Sequence, residues 1–248
     1  MPRHYLQPLL APERVALVGA SDREGSLGRI VFRNLAAGGL AALYPVNPKH
    51  REVSGRRAYA RLTDLPEPAE LAVIATPAPT VAQIVKDAGA AGTRAAVVLT
   101  SGFAESGAKG RSLQEEVLSA AQEAGVRLIG PNCLGIMRTR ADGGGLNATF
   151  ARTAARFGRL ALVSQSGAIC GAILDWAWSA EVGFSSMVSL GGAADVDFGE
   201  VLDFLVVDPQ TDAILLYVEG IRDARRFLSA LRAAARVKPV IVLKVGRY

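Results

Sequence analysis

The sequence predicts an α/β protein built from two parallel-sheet domains. Three observations carry this. Short apolar runs of strand length alternate with helix-length segments from Val15 to Leu243. Most of the runs are continuously apolar, as strands buried on both faces of a parallel sheet must be. A break, Arg138 to Phe157, holds Gly143-Gly144-Gly145 and several small polar residues, and reads as an irregular connection between the domains.

In order, Val15-Ala16-Leu17-Val18 is a strand ended by Gly19, and Gly28 to Ala37 a helix. Ala42 to Val46 is a second strand, closed by Asn47-Pro48. Leu71 to Ala75 is a third, before Thr76-Pro77, and Val81 to Ala91 has helical spacing. Ala95 to Leu99 is a strand leading into Thr100-Ser101-Gly102. Ser112 to Ala124 reads as a helix with Ser112 as N-cap and Glu115 completing a capping box. Val126 to Ile129 is the next strand. After the break come a strand, Leu160 to Val163, a helix, Gly167 to Ala180, and a strand, Phe184 to Leu190. A helix, Phe198 to Val207, stops at Asp208-Pro209. The strand Ala213 to Val218, the helix Asp223 to Arg236 and the strand Val240 to Leu243 complete the pattern.

A chain of 248 residues, half of them hydrophobic, has room for one large or two ordinary domains. No apolar run reaches the roughly 18 residues of a membrane span, and Glu13 and Arg14 interrupt any signal-peptide pattern. A cytoplasmic location is therefore expected. Cys133 and Cys170 form neither a disulfide framework nor a metal spacing. The net charge of +5 comes mostly from dispersed arginines, with few aromatics. That argues against nucleic-acid binding and leaves room for a basic groove that takes a phosphorylated small molecule.

Ligands of open parallel sheets bind at the carboxyl ends of the strands, so the strand-end turns are the candidate sites. Gly130-Pro131-Asn132-Cys133-Leu134-Gly135 puts an amide and a thiol at such an end; the alternative is a plain turn with a buried cysteine. Gly19-Ala20-Ser21, followed by Gly25 and Gly28, joins a strand to a helix N-terminus that could hold a phosphate. It departs from GxGxxG, and an ordinary turn fits as well. Ser164-Gln165-Ser166-Gly167-Ala168 repeats the arrangement, against simple N-capping by Ser166. Glu219, at a strand end, could orient an imidazole or be a solvated acid. Asp195 and Asp197 read as loop and helix-capping acids in preference to metal ligands, and no metal site is expected.

Taken together, these residues resemble the NDP-forming acyl-CoA synthetases, relatives of the succinyl-CoA synthetase α subunit. The resemblance is carried by Val18-Gly19-Ala20-Ser21, Pro45-Val46-Asn47-Pro48-Lys49, Thr76-Pro77-Ala78-Pro79, Ser101-Gly102-Phe103, Gly130 to Gly135, Ser164 to Ala168, Asp195-Val196-Asp197-Phe198 and Tyr217-Val218-Glu219. Gly145 to Phe150, Asp175-Trp176-Ala177 and Asp223 to Phe227 lean toward the branch fused to a GNAT protein acetyltransferase. The resemblance implies a Rossmann-like CoA-binding domain over residues 1–140 and a flavodoxin-like, succinyl-CoA-ligase-type domain over 155–248. It places Gly19, Ala20, Ser21 and Lys49 around the nucleotide and phosphates of CoA or acyl-CoA. Thr76, Pro77 and Ser101 would line the pocket, with Asn132 and Cys133 near the pantetheine end. Ser164, Ser166 and Gly167 would receive a phosphoryl group, and the catalytic Glu219 would orient a phosphorylated histidine.

The family reaction joins a small carboxylic acid, CoA and a nucleoside triphosphate through acyl-phosphate and phosphohistidine intermediates. The family histidine lies beyond the segment matching Lys244-Val245-Gly246-Arg247, and neither His4, expected in a mobile terminus, nor His50 has its context. No ATP-grasp domain is present, so ATP or ADP would act only through a further domain or subunit. The expectation is a fragment, silent by itself. Two alternatives stand beside it: a CoA- or acetyl-CoA-sensing module of a GNAT-type lysine acetyltransferase, and a Rossmann oxidoreductase. The latter is weakened by Asn47-Pro48-Lys49 where a ribose-binding acid belongs. Homo-oligomer formation is left open. The glycine-rich connection predicts separable domains, with proteolysis between Arg138 and Arg159.

Overall fold

A computed structural model of the chain describes residues 4–246; Arg247 and Tyr248, at the end of the family-like terminal segment, lie outside the described residues. The first half runs α1 (Gln7–Leu10), β1 (Arg14–Val18), α2 (Leu27–Ala36), β2 (Ala42–Val46), β3 (Glu52–Val53), β4 (Arg56–Arg57), β5 (Leu71–Ile74), α3 (Val81–Ala90), β6 (Ala95–Val98), α4 (Ala108–Ala124) and β7 (Arg127–Ile129). Its parallel sheet has the order β2-β1-β5-β6-β7, and β3 and β4 pair as a small antiparallel ribbon. The second half runs β8 (Gly135–Thr139), β9 (Gly145–Thr149), β10 (Arg156–Ser164), α5 (Gly167–Ser179), β11 (Gly183–Ser189), α6 (Phe198–Val207), β12 (Ala213–Val218), α7 (Ala224–Ala235) and β13 (Val240–Lys244). Its sheet has the order β13-β12-β10-β11-β8-β9, with β8 and β9 antiparallel at one side. The fold is thus the expected pair of α/β sheets, the first wholly parallel and the second parallel apart from the β8–β9 ribbon.

Side-chain alternation explains why β1 has no polar residue after Arg14. Val15 and Leu17 enter one apolar core, while Ala16 and Val18 enter another, under α3 and α4. The first of these cores also takes in α1 and α2, then continues into the second half through Val163, Val188, Phe198, Val201 and Phe227. A third core lies between α5 and the outer face of the second sheet, around Leu162, Cys170, Leu174 and Phe184. The two halves therefore share one buried layer.

Three sequence expectations are corrected. Residues 138–157 are not an irregular connection. They hold the end of β8, all of β9 and the start of β10, with an exposed turn at residues 140–143. The short β8–β9 ribbon alternates small and polar residues, so composition hid it; its apolar members Ile136, Leu146 and Ala148 are buried in the shared core. The helix expected from Ser112 begins at Ala108. Gly107 turns the chain at φ 90°, and Gly110, having no side chain, lets the first turn press on the backbone of Phe103. Ser112 and Glu115 thus lie inside the helix and form no capping box. His4, expected to be mobile, stacks on Tyr5 at 4.6 Å and meets Phe204 edge-on at 5.4 Å, and burial lowers its pKa.

The shared core changes the expected result of proteolysis. Trypsin should nick the exposed turn at Arg140, but the two pieces should co-elute on gel filtration under native conditions. Pieces that separate without denaturant would show that the shared core does not hold the halves together.

Candidate functional site

The strand order of the first sheet reverses between β1 and β5, and that of the second between β10 and β12. Each reversal opens a crevice at the carboxyl ends of the strands. The two crevices merge into one cleft of about 2120 Å³, larger than the roughly 300–1,000 Å³ of an ordinary small-ligand pocket.

At the first crevice Gly19 follows β1 with φ +92°, and a Cβ there would sit 2.8 Å from the carbonyl oxygen of Ala75. Gly28, in the first turn of α2, lies against the carbonyl of Gly19, where any Cβ would collide with it. The helix N-terminus is thereby held against the strand end. Ser26 caps α2 by accepting a hydrogen bond from Arg29 N at 3.3 Å. Gly19, Ser21, Lys49, Thr76, Pro77 and Ser101 all line the cleft. Ala20 is fully buried, so it offers backbone only. Thr76 is held on both sides, as Thr80 Oγ1 donates to its hydroxyl at 2.9 Å and Thr100 Oγ1 to its carbonyl at 2.6 Å.

The Gly130–Gly135 turn forms the wall between the two crevices. Asn132 takes φ 57°, a left-handed conformation that Asn tolerates, and its N–H donates to Thr100 O at 2.9 Å. Its side chain remains exposed at the cleft. Cys133 also borders the cleft, but the residue is only 3% exposed, and its thiol donates to Val98 O at 3.3 Å. Burial pushes that thiol up to about 12, so it is not a thiolate at neutral pH. The second half closes on this turn. A Cβ on Gly167 would lie 3.3 Å from Leu134 N, Leu134 N donates to Ser189 Oγ at 3.0 Å, and Gly191 lies directly on the carbonyl of Asn132.

At the second crevice Ser166 caps α5, its hydroxyl accepting from Ile169 N at 3.3 Å. Ser164 is buried, and its hydroxyl is engaged within the loop by Ser166 N and Ser166 O, both at 3.0 Å. Ser166 and Gly167 reach the cleft, as does Glu219. Sequence reasoning gave no role to Gln165, which ties these parts together. Its Oε1 accepts from Glu219 N at 2.7 Å and Gly220 N at 3.0 Å, while its Nε2 donates to Gly220 O at 3.0 Å. Lys244 Nζ donates to Glu219 O at 3.1 Å. The backbone of Glu219 is thus fixed from two sides and its exposed carboxylate is left for the cleft. Only the placement of Gln165 between two serines could have pointed to it.

The family-like Asp195-Val196-Asp197-Phe198 segment is a joint between the halves. Asp195 takes Arg127 side-on, at 2.9 Å from Nη2 and 3.0 Å from Nε, and accepts from Leu128 N at 2.7 Å. Asp197 caps α6 in a capping box with Glu200. The buried Glu200 binds Arg127 at 2.6 Å and Arg226 at 3.0 Å. Burial opposes the charge on Arg127, yet its bonds to Asp195 and Glu200 outweigh that and raise its pKa. Among the described residues no group of three or more His, Cys, Asp and Glu side chains could hold a metal ion, and no helix is long and apolar enough to cross a membrane.

Residues 13–139 match the family model described as a CoA binding domain, and residues 157–248 the one described as a succinyl-CoA ligase like flavodoxin domain. The chain belongs to the NDP-forming acyl-CoA synthetase family. It is similar to acetate–CoA ligase [ADP-forming] I of Archaeoglobus fulgidus, with 41% identity over 98% of this chain and 35% of that protein. It is also similar to the acetate–CoA ligase [ADP-forming] I subunit alpha of Pyrococcus furiosus, with 38% identity over 98% of this chain and 53% of that subunit. Among solved structures it resembles the dinucleotide forming acetyl-coenzyme A synthetase 1 of Ca. Korarchaeum cryptofilum in complex with phosphate and ADP. The TM-score is 0.92 at 38% identity, covering 98% of this chain and 52% of that one. The chain thus spans between about a third and a half of the synthetases it resembles.

Proposed function

We propose that the cleft binds coenzyme A or an acyl-CoA, and that the chain supplies the CoA- and phosphoryl-binding portion of an NDP-forming acyl-CoA synthetase. The observation that supports this best is the contact of the Gly130–Gly135 turn with the second crevice, Leu134 lying against Gly167 at the start of α5 and donating to Ser189 Oγ, and Asn132 lying on Gly191. A thiol delivered along the first crevice to Asn132 would arrive beside a helix N-terminus suited to a phosphoryl group. In this reading Gly19, Ala20, Ser21 and Lys49 embrace the nucleotide end. Thr76, Pro77 and Ser101 guide the pantetheine arm, and Cys133 supports the turn from within. At α5 the free N–H groups and helix dipole stabilise the anion, with Ser166 and Gly167 at the mouth and Ser164 shaping the loop. Glu219 accepts a hydrogen bond from a histidine brought by the remainder of the synthetase. An ATP-grasp domain or subunit and a small carboxylic acid are the further partners. The regulatory CoA-sensing reading has no observation in its favour beyond those that serve the ligase reading.

Calorimetry should detect CoA or acetyl-CoA at micromolar to millimolar Kd, about 4 to 8 kcal/mol of binding free energy. NAD should bind more weakly. Tighter binding of NAD with no response to CoA would overturn the assignment.

The chain by itself should be catalytically silent. His4 is packed against Phe204, and His50 lines the nucleotide end of the cleft, beyond β2. Neither sits at the Ser164–Gly167 loop. Incubation with ATP, acetate and CoA should give no acetyl-CoA, and ATP or acetyl phosphate no acid-labile phosphohistidine. Phosphorylated His50 together with turnover would contradict the role given to Glu219.

A further inference from the structure

The Gly191–Ala194 loop touches both crevices. Gly191 and Gly192 line the cleft, as Asn132 does. Gly192 N donates to Pro131 O at 2.9 Å and Ala194 N to Gly130 O at 3.0 Å, so the loop lies along the Gly130–Gly135 turn. Its root is tied to the Ser164–Gly167 loop, where Leu190 N donates to Ser164 O at 2.8 Å. At the crest Gly191 and Ala193 take left-handed conformations, φ 54° and φ 45°. Glycine adopts that region freely, but an alanine does so only where its surroundings hold it.

Arg222 is what holds it. Its Nη1 donates to Ala193 O and, at 2.7 Å, to Ala194 O. Both alanines are buried, and among the described residues no backbone N–H bonds to either oxygen. Arg222 also forms no ion pair among the described residues. Its charge is spent on two buried carbonyls that would otherwise lack a donor. The arginine stands on a rigid stem. Gln165 brackets Gly220, its Oε1 accepting from Gly220 N and its Nε2 donating to Gly220 O, both at 3.0 Å. On the other side Asp223 caps α7 by accepting from Arg226 N at 2.9 Å. Glu219 belongs to the same stem.

We infer that Arg222 is a positioning residue that couples the two crevices: it holds the strained Gly191–Ala194 loop, and with it the Asn132 end of the cleft, to the turn that presents Glu219. The inference rests on the reading of the cleft as a site for CoA and a phosphoryl group, and deepens it by naming what fixes their separation. A ligand that ends at Asn132 bears on Gly191 and Gly192, and the guanidinium passes that constraint to the Glu219 turn. Group transfer needs such fixing, since about 1 Å of misplacement can cost a hundredfold in rate.

The test is amide hydrogen exchange on the intact chain, with and without saturating CoA, followed in peptides that contain Gly191–Ala194 and Glu219–Gly220. In the parent CoA should slow exchange in both, by about three- to tenfold at Glu219–Gly220. Arg222→Ala should bind CoA within about tenfold of the parent and still slow Gly191–Ala194, while Glu219–Gly220 no longer responds to the ligand. Arg222→Lys should keep the response, because an ammonium can serve two carbonyls, as Lys238 Nζ does for Leu205 O and Asp208 O. A merely structural loss would speed exchange with and without CoA alike and leave the CoA-dependent difference in place. A response at Glu219–Gly220 that survives in Arg222→Ala, or never appears in the parent although CoA binds, overturns the coupling and leaves the CoA site standing. So does an Arg222→Lys protein that behaves like Arg222→Ala. Folded Arg222→Ala that loses CoA altogether would make the arginine part of the binding site and refute the positioning role. Arg222→Met keeps the stem without the donors and must repeat the alanine result; unfolding of both variants, seen by circular dichroism, would make Arg222 a folding residue and overturn the inference. Calorimetry that finds no CoA binding to the parent removes the CoA reading itself.

Discussion

Replacing Asp208 with alanine is expected to cost about 3–5 kcal/mol of stability, the penalty for stranding one member of a buried ion pair. Asp208 is 2% exposed and Arg138 13%. Arg138 donates to it twice, at 2.6 and 3.0 Å, and also reaches Ser186 Oγ at 3.1 Å with its guanidinium 5.4 Å from the Phe204 ring centre. Thr211 Oγ1 donates to the same carboxylate at 2.8 Å. Alanine at 208 leaves the arginine charge buried with only a hydroxyl and a ring for company. Urea unfolding near pH 7 should show the loss. The double variant Arg138→Met, Asp208→Leu should lose much less, because it strands no charge. Burial pushes the Asp208 carboxyl up, but its bonds to Arg138 win, and the pKa falls below the ordinary 3.8. A carboxyl depressed on folding stabilises above its unfolded pKa, and that contribution disappears as pH falls through the folded one. The wild type should therefore lose this contribution only below about pH 4, and the gap to Asp208→Asn should close there. A gap that stays constant from pH 7 to pH 2 would mean that the carboxylate charge contributes nothing.

Gly28→Ala is expected to abolish measurable CoA binding while the protein stays folded. In an exposed helix interior the same change is favourable by about 0.8–1 kcal/mol. Here the new methyl would be driven into the carbonyl of Gly19, which is backbone and cannot swing aside. Either α2 lifts from the strand end or the Gly19–Ser21 turn shifts, and both spread the N–H groups that would face the phosphates. Far-ultraviolet circular dichroism should remain near that of the parent, with CoA affinity reduced by at least about a hundredfold, equivalent to roughly 2.7 kcal/mol. Full affinity in this variant would remove the α2 N-terminus from the binding site.

Most of the fold was legible because the strands are short, apolar and closed by Gly, Pro or Asn. β2 and β12 fall at the residues that the apolar runs mark, and the glycines of the first crevice sit where strand-end logic puts them. The β8–β9 ribbon escaped because Gly145-Leu146-Asn147-Ala148-Thr149 pairs antiparallel at a sheet margin and needs only half its residues to be apolar. The helix start at Ala108 escaped because Gly107 ends one turn and starts the next by backbone conformation alone, while Ser112 offered a side-chain signal that tertiary packing overrides. Strand-end position put Cys133 at the ligand crevice, and the residue does border the cleft; what sequence could not show is that its thiol donates to Val98 O. Gln165 acts across the fold on Glu219, a pairing between residues far apart in the chain.

β7 ends the first sheet, and the segment after β11 lies along it. Ala194 N donates to Gly130 O at 3.0 Å and Val196 N to Leu128 O at 3.1 Å, and the Asp195 carboxylate takes the N–H of Leu128. That segment works as a hem sewn over a raw margin. Cut away from the second half, the CoA-binding half would expose a bare row of peptide groups beside newly uncovered apolar surface. Such a margin templates pairing with another chain. The first half expressed alone should therefore clump or pair edge to edge in place of behaving as a portable module, and Asp195 would count as a solubility residue as much as a joint.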